Sequence, residues 1–261
     1  MKKNLTRKLL LSSKKRCKKY RLKILEMSQN VSALHIGGTF SCIEIFDTIF
    51  NIINSKPENF VLSKGHAAIL NYILLKDKKY LNEIDLKNYC TKKGRLGVHP
   101  IIKTPGITAS TGSLGHGLGI TAGIALGNKK QNYYVLLSDG ELQEGSTWEA
   151  VMAIPYLKAN NISMIIDNND LVSYNNLSKS HPNIYPLVEK FKSFGWDAKT
   201  CDGHKVDEIY KSIRLKNKNK PLALIAKTIK GYPVSYMSNK PIWHYRSPNK
   251  TELKIALKDL I

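Results

Sequence analysis

Two stretches decide the fold that this sequence predicts: Ser138-Asp139-Gly140-Glu141-Leu142-Gln143-Glu144-Gly145 and Asp167-Asn168-Asn169-Asp170-Leu171. Each follows directly on an apolar run, at residues 133–137 and at residues 162–166. Short apolar runs rich in β-branched residues predict buried strands. Asp139 and Asn169 are therefore expected side by side at the carboxyl ends of two strands, which is the edge where open α/β sheets bind ligands.

The side chains at this edge indicate a divalent cation. A carboxylate and an amide oxygen are hard ligands, which suit Mg²⁺ or Ca²⁺ that takes its remaining ligands from water and phosphate. On spacing alone, an ordinary strand-to-helix turn with a capping aspartate explains Asp139 equally well.

Alternating apolar runs predict the fold class. Further strands are expected near residue 60 and at residues 196–200 and 222–229, and helices at residues 117–127, 145–160, 187–194 and 206–215. Pro155 should kink or shorten its helix. Strands that alternate with helices indicate an α/β fold with a doubly wound, mostly parallel sheet and helices on both faces. Asp202-Gly203-His204 is interpreted as a structural turn.

Composition places the chain among soluble globular proteins. The 261 residues, 42% of them hydrophobic, can bury a substantial core. No stretch approaches the roughly 18 apolar residues of a membrane span, and no secretory signal is evident. The four cysteines are scattered without metal-binding spacing, so we expect reduced thiols and a cytoplasmic location.

The formal net charge of +21 raises nucleic acid as a partner. Residues 1–23 hold eleven lysines and arginines and no acid. Their spacing predicts a basic helical segment over residues 1–30 with an apolar side that includes Leu9, Leu10, Leu22 and Leu25. Because no nucleic-acid motif accompanies the charge, we interpret it as a solvated face and assign residues 31–261 to a single domain.

Four histidines and a glycine-rich loop complete the candidate site. The histidines stand in Ala33-Leu34-His35-Ile36-Gly37-Gly38, Ser63-Lys64-Gly65-His66-Ala67, Gly97-Val98-His99-Pro100 and Trp243-His244. Residues 109–119 form a glycine-rich loop that runs into a helix, and such loops let backbone N–H groups approach a phosphate. Each of these features is usually structural when it occurs alone.

Together, in this order, the motifs resemble the thiamine-diphosphate-binding domain of transketolases. The string from Asp139 to Ala150 and the paired asparagines carry the resemblance, which extends over about residues 20–247. Two positions and one four-residue stretch depart from the family pattern: Ser138 replaces a glycine, Leu34 replaces another, and residues 172–175 replace a Gln-x-Asp-Gly loop.

The resemblance implies a role for each site residue. It implies Mg²⁺, for which Ca²⁺ may substitute, on Asp139, Asn169 and the Leu171 carbonyl. It implies substrate binding and proton transfer by four imidazoles, with a relay or interface carboxylate: His35, His66, His99, His244 and Glu144. It implies thiamine diphosphate contacts from His66, Gly112, Ser113, Leu114, Asp139, Gly140, Glu141, Asn169 and His244.

The resemblance covers only the diphosphate-binding part of the family. It therefore implies the N-terminal subunit of a split transketolase, which acts on sugar phosphates with a separate C-terminal pyrimidine-binding subunit, in two copies of each chain. Two alternatives stay open. One is part of another thiamine-diphosphate enzyme, such as a 2-oxo-acid dehydrogenase, which shares the Asp-Gly and Asn motif but not the four histidines. The other is a non-catalytic binding protein of the same fold, which would use its basic face.

Overall fold

The computed structural model describes residues 5–173 and 175–260, arranged around one five-stranded sheet. Predictions that fall on residues 1–4, Tyr174 and Ile261 lie outside the described residues. The sheet strands, in spatial order, are β1 (Phe60–Leu62), β2 (Tyr133–Ser138), β3 (Ile162–Asn168), β7 (Leu222–Lys227) and β6 (Asp197–Asp202). All neighbours in it are parallel, and a separate antiparallel pair consists of β4 (Leu171–Val172) and β5 (Asn175–Asn176).

Helices cover both faces of this sheet. The α-helices are α1 (Arg7–Ser28), α2 (Ile36–Phe40), α3 (Ile43–Asp47), α4 (Ala68–Asp77), α5 (Glu83–Lys87), α6 (Gly117–Gly127), α7 (Gly145–Tyr156), α8 (Leu177–Ser180), α9 (Leu187–Ser193), α10 (Val206–Arg214) and α11 (Lys250–Asp259). Short 3₁₀ turns lie at Pro57–Asn59, Gly65–Ala67, Gly140–Gln143 and Pro241–His244, and a π-helical turn at Thr48–Ile52. The predicted doubly wound fold is confirmed.

Alternate residues of each central strand enter two separate cores. On β2, Tyr134 and Leu136 pack with helices α1 to α4, α10 and α11, whereas Val135 and Leu137 pack with α6, α7 and α9. Because parallel strands are buried on both faces, they read in the sequence as continuous apolar runs. This is why the strands were predictable and the assignment of each residue to a face was not.

Helix α1 packs more deeply than a solvated segment would. Cys17 and Tyr20 lie in the first core, and buried Ser13 donates a hydrogen bond to Asp47. The Arg16 guanidinium also binds Asp47, with 2.6 Å between Nε and Oδ1. Of the predicted apolar side, Leu25 is buried and Leu22 packs against the core, but Leu9 is 43% exposed because it lies before the first buried residue of the helix, Ser13. The boundary at residue 30 stays a prediction.

Pro155 ends its helix as expected. It lies in the last turn of α7, which stops at Tyr156 rather than at residue 160. Proline has no N–H to donate and its ring crowds the preceding turn, so the helix cannot continue. Of all the described helices, none combines the length and the apolar character needed to cross a membrane.

The register of the sheet brings three strand ends level. Ser138 of β2 lies opposite Asp167 of β3, and Asp167 lies opposite Ala226 of β7. The residues that follow these strands therefore meet at one carboxyl edge. Asp139 and Asn169 lie there, as the sequence predicts.

Candidate active site

Asp139 is fixed at this edge by hydrogen bonds to both carboxylate oxygens. Its Oδ2 accepts from the backbone N–H groups of Asn169 (2.8 Å) and Asp170 (2.6 Å) and from the Asn168 side-chain amide (3.0 Å). Its Oδ1 accepts from the Gly140 N–H at 2.9 Å. The residue is 1% exposed, and burial raises the pKa of its carboxyl although these donors oppose the shift. The carboxylate therefore has one fixed orientation.

The oxygens beside Asp139 suit a hard cation. The Asn169 amide oxygen accepts from the Leu171 N–H at 3.1 Å, and the Leu171 carbonyl accepts from the Lys230 ammonium at 3.1 Å. Among residues 5–173 and 175–260, no cluster of three His, Cys, Asp or Glu side chains could hold a metal. A cation bound here would thus need one carboxylate, an amide oxygen, a carbonyl and non-protein oxygens, a set that fits Mg²⁺ held together with a phosphate.

The glycine-rich loop passes close to the ring of His99. Gly112 has φ +146°, and a Cβ there would lie 3.0 Å from the His99 ring, so the backbone can approach only as glycine. Leu114 lines the cavity next to it, whereas Ser113 is exposed. This arrangement leaves the loop backbone open towards the cavity.

Glu141 supports this loop from behind. Its carboxylate is fully buried and accepts from the Gly115 N–H at 2.9 Å and from the Ser63 hydroxyl. Burial raises the pKa of Glu141. The side chain therefore supports the loop, while its predicted contact with a cofactor stays a prediction.

The four histidines, distant in sequence, form one wall of the cavity. The ring of His35 lies 5.4 Å from that of His66, 6.2 Å from that of His99 and 5.2 Å from that of His244, measured between centroids. A Cβ on Gly38 would lie 3.3 Å from the His66 ring, so that glycine gives the imidazole its space. The loops that carry these histidines therefore converge, as the family resemblance implies.

The pKa of each of the four imidazoles is lowered from its ordinary value, which favours the neutral form. Burial, followed by the charges of His99, Lys230 and Lys64, lowers the pKa of His35 to about 4. Burial and the charge of Lys230 lower the pKa of His244 to about 3. Burial also lowers the pKa of His66, well below its ordinary value, and that of His99. A neutral imidazole can both donate and accept a hydrogen bond.

Two lysines that the sequence analysis did not single out lie in the same cavity. Lys64 is fully buried, forms an ion pair with Asp167, and donates to the Gly38 carbonyl at 2.8 Å. Lys230 is 2% exposed, and its ammonium lies 2.9 Å from His244 Nδ1. Burial and the charge of Lys64 lower the pKa of Lys230 to about 8. In the sequence, Lys64 is distinguished only by its place in the Ser63-Lys64-Gly65-His66 motif.

The residues enclose one cavity of about 370 Å³. Glu144 lies at its exposed rim, at the start of α7, and His181 of the loop after α8 lines it as well. The predicted site residues in its wall are His35, His66, His99, Gly112, Leu114, Gly140, Glu144, Asn169, Leu171 and His244. Asp139 lies directly behind that wall.

The three departures from the family pattern fit locally. The Ser138 hydroxyl accepts from the Glu141 N–H at 3.3 Å and lines the cavity. The Leu34 side chain packs into the first core while its carbonyl accepts from the Arg246 N–H at 3.0 Å. Val172 lines the cavity and forms the β4–β5 pair with Asn175. Each substituted residue therefore has a contact of its own.

Comparison with known proteins decides the family. The family described as transketolase, thiamine diphosphate binding domain, matches residues 13–256 of this chain. The chain belongs to that family.

Relatives of two lengths share this domain. An apulose-4-phosphate transketolase subunit of Actinobacillus succinogenes is 33% identical over 262 residues, which cover 94% of this chain and 95% of the relative. Transketolase of Homo sapiens is 39% identical over 197 residues, 73% of this chain but 31% of the human protein. Transketolase of Campylobacter jejuni superposes with a TM-score of 0.87 at 25% identity, over 95% of this chain and 42% of that one. The chain thus corresponds to one part of the solved transketolases and to nearly the full length of the Actinobacillus succinogenes protein.

Proposed function

We propose that this chain is the cofactor-binding subunit of a two-chain transketolase that transfers a two-carbon ketol unit from a ketose to an aldose. The observation that carries the proposal is that four imidazoles line the same cavity as Asn169 and Leu171 beside Asp139. If Asp139 only capped a turn, the four histidines would have no reason to gather in the cavity beside it. Family membership and the match to relatives that are themselves named as transketolase subunits support the same reaction.

The chain would hold the diphosphate end of thiamine diphosphate at the strand edge. Asp139, Asn169 and the Leu171 carbonyl would bind Mg²⁺, with Ca²⁺ as a substitute. Backbone groups of the loops would approach the cofactor at Gly112, Ser113, Leu114 and Gly140, and side chains at His66, His244 and Lys230. Bound thiamine diphosphate supplies the carbanion chemistry through which a carbon–carbon bond of the ketose breaks.

The imidazoles would bind and move protons at the sugar hydroxyls. His35 Nδ1 is buried and has no hydrogen-bond partner among the described residues, so it is available to a substrate hydroxyl. His66, His99 and His244 stand close enough to bind neighbouring hydroxyls of one extended sugar. In its neutral form, an imidazole can accept a proton from one hydroxyl and return it to another oxygen.

The reaction would require a second chain. This chain spans about two fifths of the length of solved transketolases, for example 42% of the Campylobacter jejuni protein. A C-terminal subunit would bind the pyrimidine end, with two copies of each chain in a cytoplasmic assembly. Glu144, exposed at the rim, would meet that partner.

The substrates would be phosphorylated sugars, as the relatives' names suggest. Two relatives with the length of this chain are named for apulose 4-phosphate, so this ketose is one donor to test. Basic residues near the cavity would attract both ketose phosphates and aldose phosphates.

The test is reconstitution with the C-terminal subunit, Mg²⁺ and thiamine diphosphate, assayed with a panel of ketose phosphates that includes apulose 4-phosphate. We expect ketol transfer by the assembly and none by either chain alone. The outcome against the proposal is an assembly that decarboxylates 2-oxo acids, or a chain that binds only nucleic acid in a salt-sensitive complex.

A further inference from the structure

The Asp202-Gly203-His204 turn makes a contact beyond its own loop. His204 Nε2 accepts a hydrogen bond from the Ile229 backbone N–H at 2.9 Å, immediately before Lys230 in the chain. The Gly203 N–H binds the Lys227 carbonyl at 2.7 Å, and a Cβ on Gly203 would lie 2.3 Å from Thr228 Cγ2. The turn therefore lies directly against the segment that leaves β7 for the cavity.

The imidazole of His204 is held in one tautomer. Because Nε2 accepts from a backbone N–H, the proton of the neutral ring is on Nδ1, which lies 3.3 Å from Glu44 Oε2. The same carboxylate pairs with buried Arg21 at 2.8 Å. The ring of His204 also lies against that of Tyr232, with 4.1 Å between centroids. Contacts on three sides thus fix the nitrogen that faces Ile229.

Residues 228–231 are anchored on both sides. The Thr228 N–H donates to the Asn168 carbonyl at 3.0 Å, and the Gly231 N–H donates to the Gly37 carbonyl at 3.0 Å. Between these anchors, the Ile229 N–H is held by His204. Lys230 then extends into the cavity, where its ammonium reaches the Leu171 carbonyl at 3.1 Å and His244 at 2.9 Å.

We propose that His204 is a positioning residue for the cofactor site, which holds Ile229 so that the Lys230 ammonium points at the Leu171 carbonyl and the diphosphate. This role rests on the proposed function. Its physical basis is the same as for residues behind metal ligands, whose loss typically weakens binding by about 10-fold to 100-fold because the contacting group loses its fixed direction.

Two amide substitutions of His204 distinguish loss of the hydrogen bond to Ile229 from a general loss of stability. In His204→Gln the amide reaches the position of Nε2 and can accept from Ile229. In His204→Asn the shorter side chain reaches only the position of Nδ1 and can donate to Glu44. Both variants remove the ring from Tyr232 and one hydrogen bond, so losses of stability should be similar. A third variant, Ile213→Ala, removes a buried apolar side chain of α10 and serves as a control for loss of core packing.

The experiment measures the dissociation constant for thiamine diphosphate with Mg²⁺ by calorimetry on the two-chain assembly. We expect His204→Asn to weaken binding by about 10-fold, and His204→Gln and Ile213→Ala to stay within about 3-fold of the wild type. Amide hydrogen exchange at Ile229 should accelerate in the Asn variant only.

Equal affinities in the Asn and Gln variants would overturn the positioning role and leave the proposed function intact. A wild-type assembly that binds no thiamine diphosphate would instead overturn the proposed function, and this role with it. The amide exchange measurement needs no cofactor, so it shows separately whether His204 holds Ile229.

Discussion

The strand edge around Asp139 and the histidine wall of the same cavity differ in how their hydrogen-bonding groups are satisfied. At the edge, both oxygens of Asp139 accept hydrogen bonds from the protein, four in total. At the wall, the buried Nδ1 of His35 has no partner among the described residues. At the edge, hydrogen bonds from the protein fix the carboxylate and leave Oδ1 with a single donor. At the wall, a ring nitrogen has no hydrogen-bond partner among the described residues.

The difference follows from what each region would contact. A metal and a diphosphate stay bound through many turnovers, so a carboxylate with one fixed orientation serves them best. Sugars enter and leave, and their hydroxyls need groups whose donors and acceptors are not already used by the protein. A buried polar atom without a partner costs about 1–3 kcal/mol, a cost that a substrate hydroxyl would remove.

The largest expected effect comes from the edge. Asp139→Ala removes the carboxylate that we propose as a Mg²⁺ ligand, so we expect Mg²⁺-dependent thiamine diphosphate binding to be lost from the two-chain assembly. Calorimetry measures the affinity for thiamine diphosphate. Asp207→Ala, on the exposed surface of α10, is the control for loss of one negative charge. Unchanged affinity in Asp139→Ala would show that the edge does not bind the cofactor.

The wall should behave in the opposite way. His35→Ala removes an imidazole that can exchange protons with the substrate, which typically costs about 10²-fold to 10⁴-fold in rate. We expect kcat/KM for ketol transfer to fall by about 100-fold while the dissociation constant of the cofactor changes less than about twofold. A parallel loss of cofactor affinity would erase the distinction between the two regions.

The Lys230 ammonium contacts both regions, so its removal tests the comparison further. Lys230→Met keeps the aliphatic stem but removes an ammonium that reaches both the Leu171 carbonyl and His244. Hydrogen bonds to charged groups contribute about 1.5–3 kcal/mol, so cofactor affinity should fall by about 10-fold to 100-fold. Lys227→Met, at an exposed position of β7, is the matched control, and equal effects of both would rule out a specific contact.

The wall should also make the cofactor-free chain sensitive to acid. Burial lowers the pKa of His35 to about 4 and that of His244 to about 3, whereas both titrate near 6.5 in an unfolded chain. Because the unfolded state takes up protons first, the free energy of unfolding should decrease as the pH falls from about 6.5 towards 4. Urea denaturation at several pH values measures this slope, which should be shallower in His35→Gln/His244→Gln.

The smallest effect is expected at the basic face of α1, which belongs to neither region. Lys8, Lys14 and Lys15 are exposed, and surface substitutions usually change stability by about 0.5 kcal/mol or less. Their joint replacement by glutamine should leave ketol transfer within about twofold of the wild type. A large loss of activity, or of a salt-sensitive nucleic-acid complex, would contradict the interpretation of this face as solvated.

Much of the site could be predicted because its signals are local. The strand before Asp139, the strand before Asn169 and the helix over residues 117–127 each follow from a short apolar run and its flanking residues. The carboxyl ends of parallel strands meet at a common edge of the sheet. Residues that directly follow two such strands, Asp139 and Asn169, are therefore expected at the same edge. The histidines were recognised only as motifs in family order, since nothing local says that their loops converge.

The sequence by itself determined the α/β class, the strand-end position of Asp139 and Asn169, and the resemblance to transketolases. Only the tertiary structure decided which of the 41 lysines and arginines enter the cavity, because Lys64 and Lys230 resemble the others until packing buries them. It also decided that Glu141 supports the loop and that His204 holds Ile229. These contacts join residues far apart in the chain, and their hydrogen bonds depend on the approach of separate elements to within about 3 Å.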